Sequence, residues 1–109
     1  MEARMERESK VEKWLGDRLK SAGFLYWKFT SPGSPGVPDR VLICPDGAVV
    51  WVELKTETGR LSKQQQVRIH ELMGRGQQVA VVHGLLEARY FAQQMIRVHV
   101  EGGGERGEV

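Results

Sequence analysis

The sequence predicts a mixed α/β domain in which helices pack against one central sheet, in the order α-β-β-β-α-β-α. The first observation behind this prediction is a stripe of apolar residues at helical spacing near the N-terminus. The second is a series of four short apolar or aromatic runs, bounded by glycine, proline and other turn residues as strands are. The length of 109 residues supports one compact domain and is too short for two.

The first predicted elements are a helix, a strand and a loop. Apolar side chains in residues 6–22 recur at i, i+3, i+4, i+8 and i+11, which places them on one face of a helix that Gly23 ends. Residues 24–30, FLYWKFT, are rich in aromatic side chains and predict a strand. Residues 31–38, SPGSPGVP, contain three prolines and two glycines, which predict a loop.

Two further strands follow, joined by a tight turn. Residues 39–44 and 48–55 are largely apolar, and the Pro-Asp-Gly sequence at 45–47 is a strong turn signal, so the pair predicts a β-hairpin. The second of these strands is apolar on both faces until it reaches Glu53. This pattern predicts a central strand that is covered on both sides.

The C-terminal part of the sequence predicts a helix, a strand and a further helix. Ser62 begins the first of these helices, which ends near Met73 before two glycines. Residues 78–82 predict a short buried strand, residues 85–95 a helix, and residues 97–100 a short edge strand. The prediction divides the chain into one domain over residues 1–100 and a disordered, glycine-rich tail over residues 101–109.

The composition argues against several classes of protein. No apolar run approaches the ~20 residues of a membrane span, and the charged N-terminus MEARMERESK lacks the apolar stretch of a signal peptide, so we expect a cytoplasmic protein without a membrane partner. The one cysteine, Cys44, excludes an intrachain disulfide and is expected to be a buried structural thiol. No cysteine lies at finger-like spacing from His70, His83 or His99, so no zinc site is expected. The net charge of +2 says little about partners.

Two carboxylates and a lysine converge at one end of the predicted hairpin. Glu53 and Lys55 share one face of their strand, and Asp39 begins the neighbouring strand, where antiparallel pairing brings it beside Glu53. Glu53 and Lys55 alone are also explained by a simple salt bridge at the strand's end. Adjacent carboxylates, however, repel each other unless a proton or cation lies between them. Because Mg²⁺ prefers a few carboxylates together with water and phosphate oxygens, the three residues favour a divalent-metal site.

Three motifs give the chain a resemblance to a known family: GVPDR at residues 36–40, VELKT at 52–56 and GRLSKQQ at 59–65. Together they resemble the VRR-NUC family, the virus-type replication-repair branch of the PD-(D/E)xK nuclease superfamily, and in particular its stand-alone, phage-type members. The resemblance runs from about Glu8 to Val82. It implies a restriction-endonuclease-like core with a central mixed sheet.

The resemblance also implies roles for the residues around this end of the hairpin. Asp39 and Glu53 would be acidic ligands of Mg²⁺ or Mn²⁺, and the backbone carbonyl of Leu54 would add a ligand oxygen. Lys55 would orient the attacking water or stabilise the negative charge that develops on the phosphate.

The resemblance further implies that a glutamate of the first helix and Gln65 complete the catalytic set. Glu8 lies roughly 45° from the mean direction of the apolar stripe and Glu12 roughly 85°, at about 100° per residue. This favours Glu8, which would reach the metal directly or through water. Gln65 has a competing explanation, because Ser62 and Gln65 form the sequence pattern of a capping box, in which Gln65 only satisfies a backbone N–H. The capping role and the catalytic role are compatible with each other.

The resemblance implies a metal-dependent endodeoxyribonuclease that acts on branched or junction DNA, similar to Holliday junction resolvases. A resolvase cuts two strands symmetrically, so we expect a homodimer, working in the host cytoplasm if the chain is phage-encoded. The alternatives are a flap or nicking endonuclease and a non-catalytic nucleic-acid-binding module with the same fold. The basic residues expected to contact nucleic-acid phosphates are Arg40, Arg60, Lys63 and Lys10.

Overall fold

The computed structural model describes residues 2–102 of the chain, with side chains from residue 9 onward. Within these residues, three helices and four strands follow one another in the predicted order, so the mixed α/β class is confirmed. The helices are α1 (Glu2–Ser21), α2 (Lys63–Gly74) and α3 (Gly84–His99). The strands are β1 (Leu25–Lys28), β2 (Arg40–Ile43), β3 (Val49–Lys55) and β4 (Gln78–His83).

The four strands form one mixed sheet in the order β1-β2-β3-β4. β1, β2 and β3 are antiparallel neighbours, and the tight turn between β2 and β3 permits only this pairing of those two strands. β4 pairs parallel with β3, and α2 lies in the connection between these two strands. β3 is therefore a central strand, as predicted, with hydrogen-bonded neighbours on both sides.

The hydrophobic core lies on the face of the sheet against which α1 and α3 pack. The antiparallel register aligns Tyr26 with Leu42 and Leu42 with Val50, so three buried side chains form one row across β1, β2 and β3. Leu15 and Leu19 of α1 are fully buried against this layer. The alternate side chains of the strands and the side chains at helical spacing in α1 thus pack together in a single core.

The opposite face of the sheet is open along β1 and the start of β3. Leu25, Trp27 and Val49 expose 46%, 57% and 37% of their surfaces, although all three are apolar. Phe29 and Trp51 lie on this side as an edge-to-face pair, with ring centroids 5.0 Å apart. The prediction that β3 is covered on both sides was therefore wrong for the first half of the strand. The composition of one strand does not show whether another element packs against each face of the sheet.

The second helix is attached to the domain only lightly. α2 packs against β4, but none of its 12 residues is buried. Its N-terminus is fixed by a capping box between Ser62 and Gln65, and the backbone N–H groups of Arg75 and Gln77 donate to the carbonyl of Leu72 at the other end. The two ends of α2 are therefore fixed by hydrogen bonds, while the side chains between them are at most partly buried.

The C-terminal helix is longer than the sequence predicted. Residues 97–100, predicted as an edge strand, instead continue α3 to His99, and the backbone N–H of Val100 donates to Ile96. The prediction was wrong because Phe91, Ala92 and Ile96 are all buried, and this helical stripe extends one turn further than expected. Residues 103–109 of the predicted tail lie outside the described residues. Within the described part of the chain, no helix is long and apolar enough to cross a membrane.

Candidate active site

The β2–β3 hairpin brings the two predicted carboxylates to the same end of the sheet. Arg40 pairs with Val52, so Asp39, one residue earlier in the chain, lies beside Glu53, one residue later. The backbone carbonyl of Asp39 accepts a hydrogen bond from the N–H of Phe29 at 2.8 Å, which extends the β1–β2 ladder as far as Asp39. The backbone of both carboxylates is thus fixed by strand pairing rather than by a mobile loop.

Glu53 is the buried member of this pair, with 7% of its surface exposed. Burial raises the pKa of its carboxyl above the ordinary value, and the negative charge of Asp39 raises it further, while Lys55 and Arg40 act in the opposite direction. A charged carboxylate in this position is therefore destabilised by its surroundings. A divalent cation placed between Glu53 and Asp39 would remove that cost, so the donor set fits such an ion.

Gln65 contacts Glu53 and caps α2 at the same time. Its Nε2 donates to Glu53 Oε2 at 3.2 Å, and its Oε1 accepts from the backbone N–H of Ser62 at 2.9 Å. The Ser62 hydroxyl oxygen accepts in turn from the backbone N–H of Gln65 at 3.1 Å. The capping box and the contact with the candidate site, two roles that the sequence allows together, both occur in this one side chain.

The proline- and glycine-rich loop between β1 and β2 closes onto the first turn of α2. Gly36 has a φ of 95°, and a Cβ atom built on it would lie 2.6 Å from the backbone carbonyl carbon and oxygen of Gln64. Arg68 Nε donates to the backbone carbonyl of Pro35 at 3.2 Å and holds the same contact from further along the helix. Because this loop leads directly into Asp39, its contact with α2 sets the position of Asp39 relative to Gln65.

Arg40 lies between the acidic groups rather than in open solvent. Its side chain is 15% exposed and forms an ion pair with Glu12 of α1, and its charge lowers the pKa of Glu53. Its guanidinium carbon also lies 6.0 Å from the ring centroid of Tyr26. Burial lowers the pKa of Arg40 itself, and Glu53 partly offsets this. The expected contact of Arg40 with nucleic acid stays a prediction.

The first helix approaches the site through Glu12, because Glu12 contacts Arg40. The preferred candidate, Glu8, has a side chain outside the described residues, so its role stays a prediction. The three other basic residues predicted to contact nucleic acid are exposed: Lys10 on α1, Arg60 in the β3–α2 loop and Lys63 at the start of α2.

Tyr26 is a buried polar residue near the candidate site. Its hydroxyl is buried, and no hydrogen-bond partner for it exists among the described residues. Burial raises the pKa of this hydroxyl, and the nearby charge of Asp39 raises it further. The useful sequence signal was the alternation of β1, which turns Tyr26 inward, where a phenol normally finds a partner.

Comparison with known proteins gives matches of three kinds. The model of the VRR-NUC domain family matches residues 24–85. "Putative nuclease p44" of Acyrthosiphon pisum secondary endosymbiont phage 1 is 39% identical over 80 residues, which are 72% of this chain and 85% of that protein. A solved structure called "VRR_NUC domain" is similar with a TM-score of 0.74 at 27% identity, covering 80% of this chain and 95% of its own. A second, "VRR_NUC domain protein", has a TM-score of 0.66 at 21% identity, covers 84% of this chain and 88% of its own, and supports the fold alone.

Proposed function

Because the chain belongs to the VRR-NUC domain family of nucleases, we propose that it is a metal-dependent DNA endonuclease whose active site contains Asp39, Glu53, Lys55 and Gln65. The observation that carries the proposal is the environment of Glu53: a buried carboxylate beside a second carboxylate, in contact with the Gln65 amide. A structural salt bridge would not need the second carboxylate.

The metal would be held by Asp39, Glu53 and the backbone carbonyl of Leu54, with Glu8 of α1 adding an oxygen directly or through water. These are all oxygen donors, which suits Mg²⁺ or Mn²⁺. Bound there, the ion would polarise the scissile phosphate and lower the pKa of a water molecule.

The remaining residues of the site position groups and supply charge. Lys55 is half-buried and shares the strand face of Glu53, so its ammonium group adds positive charge where the phosphate gains negative charge. Gln65 fixes the orientation of the Glu53 carboxylate through its amide. Phosphates on either side of the scissile bond would contact Arg60, Lys63 and Lys10, with Arg40 balancing the acidic groups from within the site.

The direct test is cleavage of labelled DNA with Mg²⁺, with Mn²⁺ and with EDTA. Glu53→Ala and Lys55→Ala should each lose at least about a hundredfold in rate. Glu71→Ala and Lys20→Ala, which remove exposed charges from α2 and α1, are the matched controls and should cleave as the wild type does. Cleavage that persists in EDTA, or that is unchanged in both site variants, would contradict a metal-dependent nuclease activity at this site.

We further propose that the substrate is branched DNA, with an activity similar to that of a Holliday junction resolvase, in the cytoplasm, which is that of the host if the chain is phage-encoded. A panel of four-way junctions, flaps, bubbles and plain duplexes separates this activity from that of a flap or nicking endonuclease. Metal-stimulated binding without cleavage of any of these substrates would instead indicate a non-catalytic binding module.

A resolvase needs two active sites related by a two-fold axis, so we propose a homodimer. The exposed apolar side chains of Leu25, Trp27 and Val49 on one face of the sheet support it, because apolar residues grouped on an exposed face are typical of a surface that binds another protein chain. Light scattering should give a mass of two chains, and Trp27→Ser should shift it toward one. A mass of one chain for the wild type at working concentration would contradict the dimer.

A further inference from the structure

A second group of metal-ligating side chains lies at the turn end of the β2–β3 hairpin, away from the candidate active site. Cys44 and Asp46 belong to the turn, and His99 is the last residue of α3. Each offers one ligand atom, and these three atoms all lie within 4.8 Å of one another. Asp39 and Cys44 are separated by the length of β2, roughly 16 Å at 3.3 Å per residue, so the two sites do not share ligands.

The backbone of the turn fixes two of these three donors. The N–H of Cys44 donates to the carbonyl of Ala48, and the N–H of Gly47 donates to the carbonyl of Cys44, both at 2.8 Å. The N–H of Ala48 donates to Asp46 Oδ1 at 3.1 Å, which leaves Oδ2 directed at His99 Nδ1, 2.9 Å away. The donors are therefore arranged by hydrogen bonds formed within the turn and by the end of a helix.

The chemistry of the three donors selects among metals. A thiolate and an imidazole are soft or borderline ligands that suit Zn²⁺, whereas Mg²⁺ and Mn²⁺ prefer sites built from oxygen alone. Zn²⁺ bound to one thiolate, one carboxylate and a neutral imidazole forms an assembly without net charge, which tolerates burial. The C-terminal end of α3 also presents the negative end of a helix dipole to a cation placed at His99.

We propose that Cys44, Asp46 and His99 form a zinc site, separate from the active site, in which the ion joins the end of α3 to the β2–β3 turn. Three protein ligands leave one position of a tetrahedral ion for water. On binding, the Cys44 thiol loses its proton to solvent, the sulfur and a ring nitrogen of His99 donate electron pairs to Zn²⁺, and Asp46 binds as the carboxylate.

Two simpler roles, a nucleophilic Cys44 and a plain hydrogen bond between Asp46 and His99, do not explain why all three ligand atoms lie together. As a nucleophile, Cys44 would need access to substrate, but it is 3% exposed, and burial together with Asp46 raises the pKa of its thiol to about 11. As a plain hydrogen bond, the contact between Asp46 and His99 does not involve the nearby thiol, which then only packs in the hydrophobic core. Sequence spacing did not indicate the group, because Cys44 and His99 are 55 positions apart in the chain.

The test uses the full chain, stripped of metal and then held in excess Mg²⁺ so that oxygen-only sites are filled. Native mass spectrometry should count one Zn²⁺ per chain. Replacing Zn²⁺ by Co²⁺ should give a thiolate-to-cobalt charge-transfer band, which reports Cys44 alone because the chain has no other cysteine. At a hundredfold excess of Zn²⁺ over Kd, the Tm should rise by roughly 10 °C or more.

Variants assign the binding to these residues. Cys44→Ala and His99→Gln should each lose the bound Zn²⁺, while Glu53→Gln and the exposed control His70→Gln should keep it. If Cys44→Ala does not fold, the Co²⁺ spectrum of the wild type still decides the question. Absence of bound Zn²⁺, absence of the thiolate band, or loss of Zn²⁺ in Glu53→Gln rather than in Cys44→Ala would overturn the proposal. None of these measurements depends on DNA cleavage.

Discussion

The contact between the β1–β2 loop and α2 can be tested with two glycines of the same loop. Gly33 and Gly36 have φ angles of 82° and 95°, which favour glycine at both positions. A Cβ on Gly33 would meet nothing within 4 Å, whereas a Cβ on Gly36 would lie 2.6 Å from the carbonyl of Gln64 and 2.9 Å from the backbone nitrogen of Gln65. Gly33→Ala is therefore a matched control that shares the backbone strain of Gly36→Ala without its steric clash.

The magnitudes follow from these distances. A positive φ costs an alanine about 1–2 kcal/mol in either variant. Gly36→Ala adds a clash with helix backbone, which cannot rotate away as a side chain would, and overpacking of this kind costs about 1–3 kcal/mol. We expect Gly36→Ala to lower the free energy of unfolding by ~2–5 kcal/mol in total. In thermal unfolding, each 1 kcal/mol lowers the Tm of a domain of this size by roughly 4–8 °C.

Denaturant unfolding of both variants measures the difference in their stability. DNA cleavage at a temperature where both are folded measures the effect of the clash on the candidate active site. Because the clash displaces Gln65 relative to Asp39, Gly36→Ala should cleave more slowly than Gly33→Ala even when fully folded. Equal shifts of the denaturation midpoint in the two variants, or a milder effect at Gly36, would refute the close approach of loop and helix.

Three further predictions concern the candidate site itself. Ser62→Ala and Gln65→Ala should each destabilise the protein by about 1 kcal/mol through loss of the cap, but only Gln65→Ala should also slow cleavage; equal rates in the two would argue against a role for Gln65 beyond capping. The raised pKa of Glu53 means that its charged form costs stability: the cost is absent below the ordinary pKa of 4.5 and grows as pH rises through the folded-state pKa. Metal-free Glu53→Gln should therefore resist urea better than the wild type at pH 7 but not at pH 4. A difference in stability between the two proteins that is the same at both pH values would contradict the raised pKa of Glu53. Lys55→Ala should lower kcat by ~10²–10³-fold with little change in KM, and a change confined to KM would instead indicate a binding role.

The parts of the fold that the sequence predicted well are those set by local patterns. The hairpin followed from the turn at 45–47 and from two apolar runs, and pairing around that turn placed Asp39 beside Glu53. The capping box at Ser62 was also readable, because its two partners lie three residues apart. Each of these features depends on residues that are close in the chain or joined by one tight turn.

The features that were missed depend on contacts between distant residues. Nothing near Arg40 in the sequence indicates that its guanidinium contacts Glu12, since that choice depends on how α1 crosses the sheet. The proximity of Cys44 and His99 arises in the same way, from the extra length of α3 and its direction over the core. A local sequence pattern predicts which face of a helix or strand a residue occupies, but it does not predict which distant side chain the residue contacts there.

The absence of buried residues in α2 has a consequence for how the site holds together over time. Glu53 lies on a central strand of the sheet, where backbone amide protons should exchange with solvent only on global unfolding. In contrast, we expect α2 to detach by a local opening, because this exposes little apolar surface. Gln65 would leave with α2, while the two carboxylates stay in place on their strands. We therefore expect the acidic pair to stay assembled while its amide partner is lost at each opening, and a bound phosphodiester that contacts the start of α2 should make this opening rarer by favouring the closed form.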